Sequence, residues 1–224
     1  MIDIDWNSAG SLFINGDCMD YMRTMPDKCV DLAITDPPYG QFNDDKRGHM
    51  GGGNAKKYKY GKWDEAPTGE YFNELFRVSK NQIIWGGNYF ALPPTRCFVI
   101  WRKFVPENFT LAMCEYAWTS FNENAKWIQM SPQDKQRFHP TQKPINLYLW
   151  LLQNYAKQGD KILDTHVGSA SSLIACHRMG FEYWGFELDE SCYKAASERL
   201  AKEQAQQTLF SPEEIYKPQQ QSLI

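Results

Sequence analysis

The stretch that decides the fold is Val30-Asp31-Leu32-Ala33-Ile34-Thr35-Asp36-Pro37-Pro38-Tyr39. Its apolar beginning predicts a buried strand over residues 30–35. The strand ends in one carboxylate, two prolines that fix φ and lack an N–H group, and one aromatic ring. The Asp36 carboxylate and the Pro37 carbonyl can accept two hydrogen bonds from a flat amino group, while Tyr39 stacks on the attached ring. The stretch therefore indicates a site for the exocyclic amine of a nucleobase; an ordinary strand with a proline turn is the alternative.

The composition is that of a folded protein without a strong charge bias. The chain has 224 residues, of which 42% are hydrophobic, and this predicts one domain with a sizeable core. A net charge of −3 excludes a globally basic nucleic-acid binder, so nucleic-acid contact requires a local basic patch. Six scattered cysteines form no C-x-x-C pair, which argues against a zinc or redox site and favours a reducing cytoplasm. We expect no signal peptide and no membrane span.

Alternating strand and helix patterns predict an α/β protein with a mostly parallel, doubly wound sheet. Strands are predicted at residues 12–15, 30–35, 82–85, 97–101, 115–119, 161–164 and 183–186. Helices are predicted at residues 19–25, 71–78, 145–155, 171–179 and 191–206, and a loop at residues 121–138. The ligand site of such a sheet lies beyond the carboxyl ends of its strands, at the topological switch point.

Residues 40–69 form a long segment without clear periodicity. It is rich in glycine and in basic residues, and loops of this length tend to be functional or mobile. The basic residues suit a loop that contacts nucleic-acid phosphates, and a solvated loop is the alternative. The predicted phosphate contacts are Lys46, Arg47, Lys56, Lys57 and Lys59.

A second strand-end acid lies in Ile162-Leu163-Asp164-Thr165-His166-Val167-Gly168-Ser169. The segment lacks a full G-x-G-x-x-G motif, so it is a weak phosphate cradle, but Asp164 suits a cationic group. Glu187 ends the following predicted strand, where an acid commonly binds ribose hydroxyls. Together the two acids describe an adenosine ligand with a positive charge and no phosphate, which S-adenosylmethionine fits. The alternative is that both acids are helix N-caps.

With both segments in view, the chain resembles the beta group of S-adenosylmethionine-dependent DNA amino-methyltransferases. The resemblance covers most of residues 11–200 and implies a Rossmann-like methyltransferase fold with permuted motif order. We expect Asp36 and Asp164 to end neighbouring strands at the switch point. It rests on five motifs in the order of that group: Gly16-Asp17, Asp36-Pro37-Pro38-Tyr39, His139-Pro140-Thr141-Gln142-Lys143-Pro144, Asp164…Gly168-Ser169 and Phe186-Glu187. We expect one methyltransferase domain over residues 1–210, with a mobile loop at 40–69, a short recognition insertion at about 102–138 and a loosely held tail at 211–224.

The resemblance also implies residue roles. Asp36, Pro37, Pro38 and Tyr39 are the catalytic tetrapeptide, in which Asp36 and the Pro37 carbonyl bind the target amine. The implied cofactor-binding residues are Asp17, Cys18, His139, Thr141, Lys143, Asp164, His166, Gly168, Ser169, Glu187 and Leu188.

Within that set, the resemblance places individual residues against parts of the cofactor. Asp17 meets the adenine amine, Thr141 and Lys143 the methionine carboxylate, Asp164 the ammonium and Glu187 the ribose. A solvated lysine before a helix is the alternative for Lys143. No metal ligands are implied.

One motif departs from the resembled pattern, which usually has Asp-Pro-Phe followed by a glycine-rich turn. His166 replaces the aromatic residue, and its ring can still stack as part of the pocket lining. Ala170 replaces a glycine, and we expect the alanine to add only a methyl group. Because of this departure, a role of Asp164 as a helix cap is the alternative.

The resemblance implies methylation of adenine N6 in double-stranded DNA, with the target base flipped out of the duplex. Cytosine N4 is the alternative target, because either amine fits the hydrogen-bond argument. Two rivals stay open: a cofactor-sensing or DNA-binding module without catalysis, and a methyltransferase acting on RNA or protein amides, which usually has Asn in place of Asp36. The resembled group often forms dimers, so we expect a homodimer.

Overall fold

The computed structural model describes residues 4–40, 65–105, 112–132 and 142–206. Within them, eight strands form one sheet, and helices cover it. The strands are β1 (Leu12–Asn15), β2 (Val30–Thr35), β3 (Ser79–Trp85), β4 (Phe98–Arg102), β5 (Cys114–Thr119), β6 (Lys126–Gln129), β7 (Lys161–Asp164) and β8 (Glu182–Glu187). The helices are α1 (Cys18–Met22), α2 (Gly69–Val78), α3 (Ile145–Tyr155), α4 (Ser171–Arg178) and α5 (Glu190–Gln204).

The strand order is β1-β8-β7-β2-β3-β5-β4-β6. Every neighbouring pair is parallel except those of β5, which is antiparallel to β3 and to β4. The prediction of a mostly parallel α/β sheet is thereby confirmed. Strands β2 and β7 are neighbours, with Leu32 opposite Ile162 and Ala33 opposite Leu163. The chain leaves β2 toward β3 on one side and β7 toward β8 on the other, so the switch point lies between β2 and β7.

Helices lie on both faces of the sheet because successive side chains of its strands point to opposite faces. Ile34 of β2 packs in one core cluster with residues of α3, α4 and α5, such as Leu151 and Leu173. Ala33, the preceding residue, packs in the other cluster with residues of α1 and α2, such as Leu75. The doubly wound arrangement of the prediction is therefore present.

One expectation about residues 121–138 is wrong. Residues 126–129 were expected in a loop, but they form β6, which pairs in parallel with β4. Strand β5 lies inside the sheet between β3 and β4, so residues 114–119 and 126–129 belong to the central sheet. The expected recognition insertion at about 102–138 stays a prediction. Most of the predicted loop, residues 41–64, and the tail at 211–224 lie outside the described residues.

None of the helices in the described ranges combines the length and the apolar character that crossing a membrane requires.

Candidate active site

Buried hydroxyl groups connect the carboxyl ends of β2 and β7. The hydroxyl oxygens of Thr35 and Thr165 lie 2.6 Å apart, and the Tyr71 hydroxyl lies 2.7 Å from that of Thr165. Thr35 directly precedes Asp36, and Thr165 directly follows Asp164. The structure therefore brings the two predicted strand-end acids together at the same edge of the sheet.

Both carboxylate oxygens of Asp36 have partners within the protein. Oδ1 accepts a hydrogen bond of 2.6 Å from the Tyr39 hydroxyl, and Oδ2 accepts one from the ammonium group of Lys143. Burial and the neighbouring Asp36 carboxylate raise the pKa of Tyr39 well above its usual value, so the hydroxyl stays protonated as a donor. The Asp36 side chain is 14% exposed, which leaves it accessible at the edge of the sheet.

The ring of Tyr39 is held in place by a close approach of the backbone. It stacks on Tyr89, with centroids 4.8 Å apart and an interplanar angle of 25°. Gly86 also lies against the ring: its φ is +66°, and an added Cβ atom would lie 2.1 Å from Cε1 of Tyr39. Only glycine fits between this left-handed turn and the ring. The sequence had not singled out Gly86, although a Gly-Gly pair directly after an apolar strand is the signal that could have found it.

Lys143 forms an ion pair with Asp36, a contact that the sequence did not predict. Its side chain is only 4% exposed, and its Nζ also lies 3.1 Å from Oε2 of Glu115. Glu115 in turn forms an ion pair with Lys103. The interpretation of Lys143 as a solvated lysine is wrong, because the residue is buried between two carboxylates. Its expected place near a cofactor carboxylate stays a prediction.

Asp164 is a deeply buried acid without a paired cation among the described residues. Its side chain accepts hydrogen bonds from the backbone N–H of His166, at 3.0 Å, and from the Ser172 hydroxyl. Burial raises the pKa of Asp164 to about 7, and Asp36 and Glu187 act in the same direction. A buried carboxylate of this kind favours a cationic partner. The Asp164 carboxylate therefore fits the ammonium group of S-adenosylmethionine.

Neither Asp164 nor Glu187 is a helix N-cap, so the alternative interpretation of the two acids is wrong. The N-cap of α4 is Ala170, and that of α5 is Asp189. Glu187 accepts hydrogen bonds from the backbone N–H groups of Gly168, at 2.8 Å, and Asp189, at 2.9 Å. Burial raises the pKa of Glu187 as well. The Glu187 carboxylate thus binds the Gly168 turn to the end of β8.

Four more of the predicted cofactor residues border the same edge: Asp17, Cys18, Ser169 and Leu188. Asp17 is exposed and is the N-cap of α1, where Oδ1 accepts a hydrogen bond from Met19 N at 2.9 Å. Cys18, the next residue, is buried, whereas Leu188 is 63% exposed. Ser169 is buried, and its carbonyl accepts a hydrogen bond from Arg199 at 2.7 Å.

The altered turn is built around His166 and Ala170. Nδ1 of His166 lies 2.9 Å from the Thr165 hydroxyl, and its ring meets the Tyr71 ring edge-on at 5.4 Å. Burial lowers the pKa of His166 to about 4, so the ring is neutral near pH 7. Ala170 has a left-handed φ of +61°, which glycine adopts readily and alanine does not. The expectation that alanine adds only a methyl group is therefore incomplete, because it also adds backbone strain.

Seven predicted site residues lie outside the described part of the chain: His139, Thr141, Lys46, Arg47, Lys56, Lys57 and Lys59.

Comparison with known proteins identifies relatives of this fold. A family model described as DNA methylase, N6/N4 type, matches residues 84–198. YubD of Escherichia coli (strain K12) is 27% identical over 213 residues, which are 85% of this chain and 90% of that protein. The type II methyltransferase M2.DpnII of Streptococcus pneumoniae is 22% identical over 252 residues, covering 88% of this chain and 92% of that protein.

Solved structures show the same fold at low sequence identity. The M1.HpyAVI complex with S-adenosylmethionine superposes with a TM-score of 0.56 at 20% identity, over 84% of this chain and 98% of that chain. The cytosine-N4-specific PvuII DNA methyltransferase superposes with a TM-score of 0.58 at 13% identity, over 92% of this chain and 90% of that chain.

Proposed function

Because the chain belongs to the N6/N4 family of DNA methylases, whose methyl donor is S-adenosylmethionine, we propose that it methylates the N6 amino group of adenine in double-stranded DNA. The observation that carries this proposal is the meeting of Asp36 and Asp164 at one edge of the sheet, fixed by the contact between Thr35 and Thr165. One acid is suited to a target amine and the other to a cationic donor molecule, so one site can hold both reactants.

The residues at β2 act on the target base in this proposal. An aromatic amine is a poor nucleophile because its lone pair is delocalised into the ring. Asp36 and the Pro37 carbonyl accept hydrogen bonds from its two N–H groups. They thereby stabilise the positive charge that grows on the nitrogen as it attacks the methyl group of the donor. Tyr39 supplies a flat surface for the base, and the rigid Pro37-Pro38 pair holds acid and ring in one arrangement.

The residues at β7 and β8 position the methyl donor. When bound, S-adenosylmethionine supplies an electrophilic methyl group on its sulfonium. The Asp164 carboxylate binds the ammonium, Glu187 accepts hydrogen bonds from ribose hydroxyls, and Asp17 accepts one from the adenine amine. Backbone groups of Gly168 and Ser169 line the pocket beside His166. Holding both reactants in line supplies much of the remaining rate enhancement.

Adenine is favoured over cytosine by the first residue of the tetrapeptide. In the resembled family an aspartate at this position goes mostly with adenine and a serine with cytosine. The test is mass spectrometry of nucleosides from unmethylated duplex DNA that has been incubated with the enzyme and cofactor. The expected product is N6-methyldeoxyadenosine. Accumulation of N4-methyldeoxycytidine instead overturns the choice of base, and methylated RNA or protein overturns DNA as the substrate.

The partners follow from the same proposal. A base inside a duplex cannot reach a pocket at the edge of the sheet, so the target base leaves the stack at a cost of a few kcal/mol. Lys46, Arg47, Lys56, Lys57 and Lys59 are proposed to offset part of that cost through phosphate contacts. We also propose a homodimer, which light scattering of the purified protein tests, and a cytoplasmic location.

A further inference from the structure

We infer that Glu115 is a positioning residue for Asp36, acting by sharing the buried ammonium group of Lys143 between two carboxylates. The inference rests on the proposed function, because it assigns Asp36 to the target amine. It adds a residue on β5, a strand that contributes none of the residues of the five sequence motifs.

Four charged side chains of alternating sign form a continuous row that ends at Asp36. Lys103 is paired with Oε1 of Glu115, Oε2 of Glu115 lies 3.1 Å from Nζ of Lys143, and Lys143 donates to Oδ2 of Asp36. The exposed fractions of these side chains are 15% for Lys103, 23% for Glu115, 4% for Lys143 and 14% for Asp36. The row therefore runs from the outer strands to the reacting edge largely out of solvent.

The backbone fixes the position of Glu115 in this row. In the antiparallel pair of β4 and β5, Glu115 is opposite Trp101, and the N–H of Lys103 donates to the carbonyl of Met113 at 2.8 Å. Lys143 comes from the segment before α3 and lies 5.2 Å from the centre of the Trp85 ring. Two different parts of the chain thus converge on one ammonium group.

An ammonium this deeply buried is stable only with compensating charge. Burial lowers the pKa of Lys143, but Asp36 and Glu115 outweigh burial and raise it above its usual value. Burial likewise disfavours ionised Glu115, yet Lys143 and Lys103 lower its pKa to about 2. Lys143 is accordingly a charged donor, and Glu115 a charged acceptor, over the whole physiological pH range.

Sharing the ammonium matters for the chemistry at Asp36. With Glu115 present, the Lys143 ammonium interacts with two carboxylates and binds each of them less strongly. Asp36 is then better able to accept a hydrogen bond from the N–H of an incoming amine. Without Glu115, the only carboxylate left to Lys143 among these four residues is that of Asp36. The ammonium then competes directly with the amine. Loss of Glu115 is therefore expected to lower kcat.

Other titratable groups face this row and are part of its electrostatics. The Tyr39 hydroxyl donates a hydrogen bond to Asp36. Burial raises the pKa of Tyr148 in α3, and the negative charges of Asp164, Asp36 and Glu115 raise it further. The Asp36 carboxylate, as a like charge, raises the pKa of Asp164. Each of these groups is unchanged in the variants below, so differences between the variants report on the row itself.

The test is an NMR titration of the Lys143 side chain in Glu115→Gln, Glu115→Asp and Lys103→Met, with Lys143→Met used for assignment. Glu203→Gln is a matched control, because Glu203 is paired with Arg178 elsewhere in the structure. The pKa of Lys143 is expected to fall by about one unit or more in Glu115→Gln, since an opposite charge at this range shifts a pKa by 1–3 units. It is expected to rise in Lys103→Met and to stay near the wild-type value in Glu115→Asp and Glu203→Gln.

Kinetics of methyl transfer to DNA separate positioning from a general loss of structure. The kcat of Glu115→Gln is expected to fall about tenfold, with partial rescue by Glu115→Asp. A Lys143 pKa that is the same in Glu115→Gln and wild type overturns the inference, as does a kcat of Glu115→Gln equal to that of Glu203→Gln. If the wild-type protein transfers no methyl group, the proposed function fails. The lysine titration then still decides whether Glu115 holds Lys143.

Discussion

The side-chain oxygens of Thr35 and Thr165 lie 2.6 Å apart, although 130 positions separate the two residues in the chain. The contact joins the residue before Asp36 to the residue after Asp164, and both hydroxyl groups are buried. It fixes the relative position of the two strand ends on which the proposed reactants meet.

Binding of S-adenosylmethionine is expected to release a proton near neutral pH. Burial raises the pKa of Asp164 to about 7, so a large fraction of the carboxyl group is protonated in the free protein at that pH. A bound ammonium favours the ionised form and lowers this pKa, which weakens binding as pH falls below about 7. Calorimetry in buffers of different ionisation enthalpy measures the released proton. In Asp164→Asn the release should disappear and the affinity should drop; unchanged proton release in that variant contradicts the assignment of Asp164.

The same residue has a consequence for stability without ligand. The pKa of Asp164 is raised from 3.8 to about 7, so the folded state holds a proton that the unfolded state has already lost between these values. The contribution of Asp164 to the free energy of unfolding therefore falls as pH rises through this window. Thermal unfolding from pH 4 to pH 8 should show a smaller decline in Asp164→Asn than in wild type. An identical pH dependence in both proteins contradicts the raised pKa.

Replacing Gly86 is expected to disturb both stability and catalysis. In Gly86→Ala the new Cβ atom would lie 2.1 Å from the Tyr39 ring, and the left-handed backbone alone costs about 1–2 kcal/mol. The midpoint of thermal unfolding should fall, and kcat should fall with it because Tyr39 is displaced from Asp36. Gly69→Ala is the matched control, since nothing lies within 4 Å of a Cβ at that helical position. Wild-type kcat in Gly86→Ala would show that the position of Tyr39 is unimportant.

Two substitutions of Tyr39 separate its ring from its hydroxyl. Tyr39→Phe keeps the stacking surface and removes the hydrogen bond to Asp36, so we expect a lower kcat with little change in DNA affinity. Tyr39→Ala also removes the ring, which should cost about 1–3 kcal/mol of interaction with the base. Fluorescence of 2-aminopurine at the target position reports base eversion. Equal eversion signals in Tyr39→Ala and wild type argue against stacking by this residue.

Neutralising Lys56, Lys57 and Lys59 together should weaken DNA binding and flatten its salt dependence. Each phosphate contact contributes about 0.9 to the slope of log K against log salt concentration. The slope of the triple variant should therefore be smaller than that of wild type by up to about 3. This prediction comes from the sequence alone. The same slope in both proteins rules out these lysines as phosphate contacts.

The chain pattern predicted the meeting of Asp36 and Asp164 because both acids follow apolar strands of a parallel sheet. Strand β6 was missed since its residues give no clear alternation: Trp127, its large aromatic residue, is 64% exposed. The pairing of Lys143 with Asp36 was also missed. It joins residues 107 positions apart, and no local pattern records such a long-range ion pair. Likewise, the left-handed backbone of Ala170 is imposed by the turn into α4, and an alanine in the sequence does not indicate it.

The most direct test is transfer of a tritiated methyl group from S-adenosylmethionine to unmethylated duplex DNA. Wild type and Asp31→Ala, a control at the opposite end of the same strand, should label the DNA. Asp36→Ala should be slower by about 100-fold or more, the usual effect of removing one stabilising group, while it still binds the cofactor in calorimetry. Labelling by Asp36→Ala at the wild-type rate, or no labelling by a wild-type protein that binds the cofactor, contradicts the account.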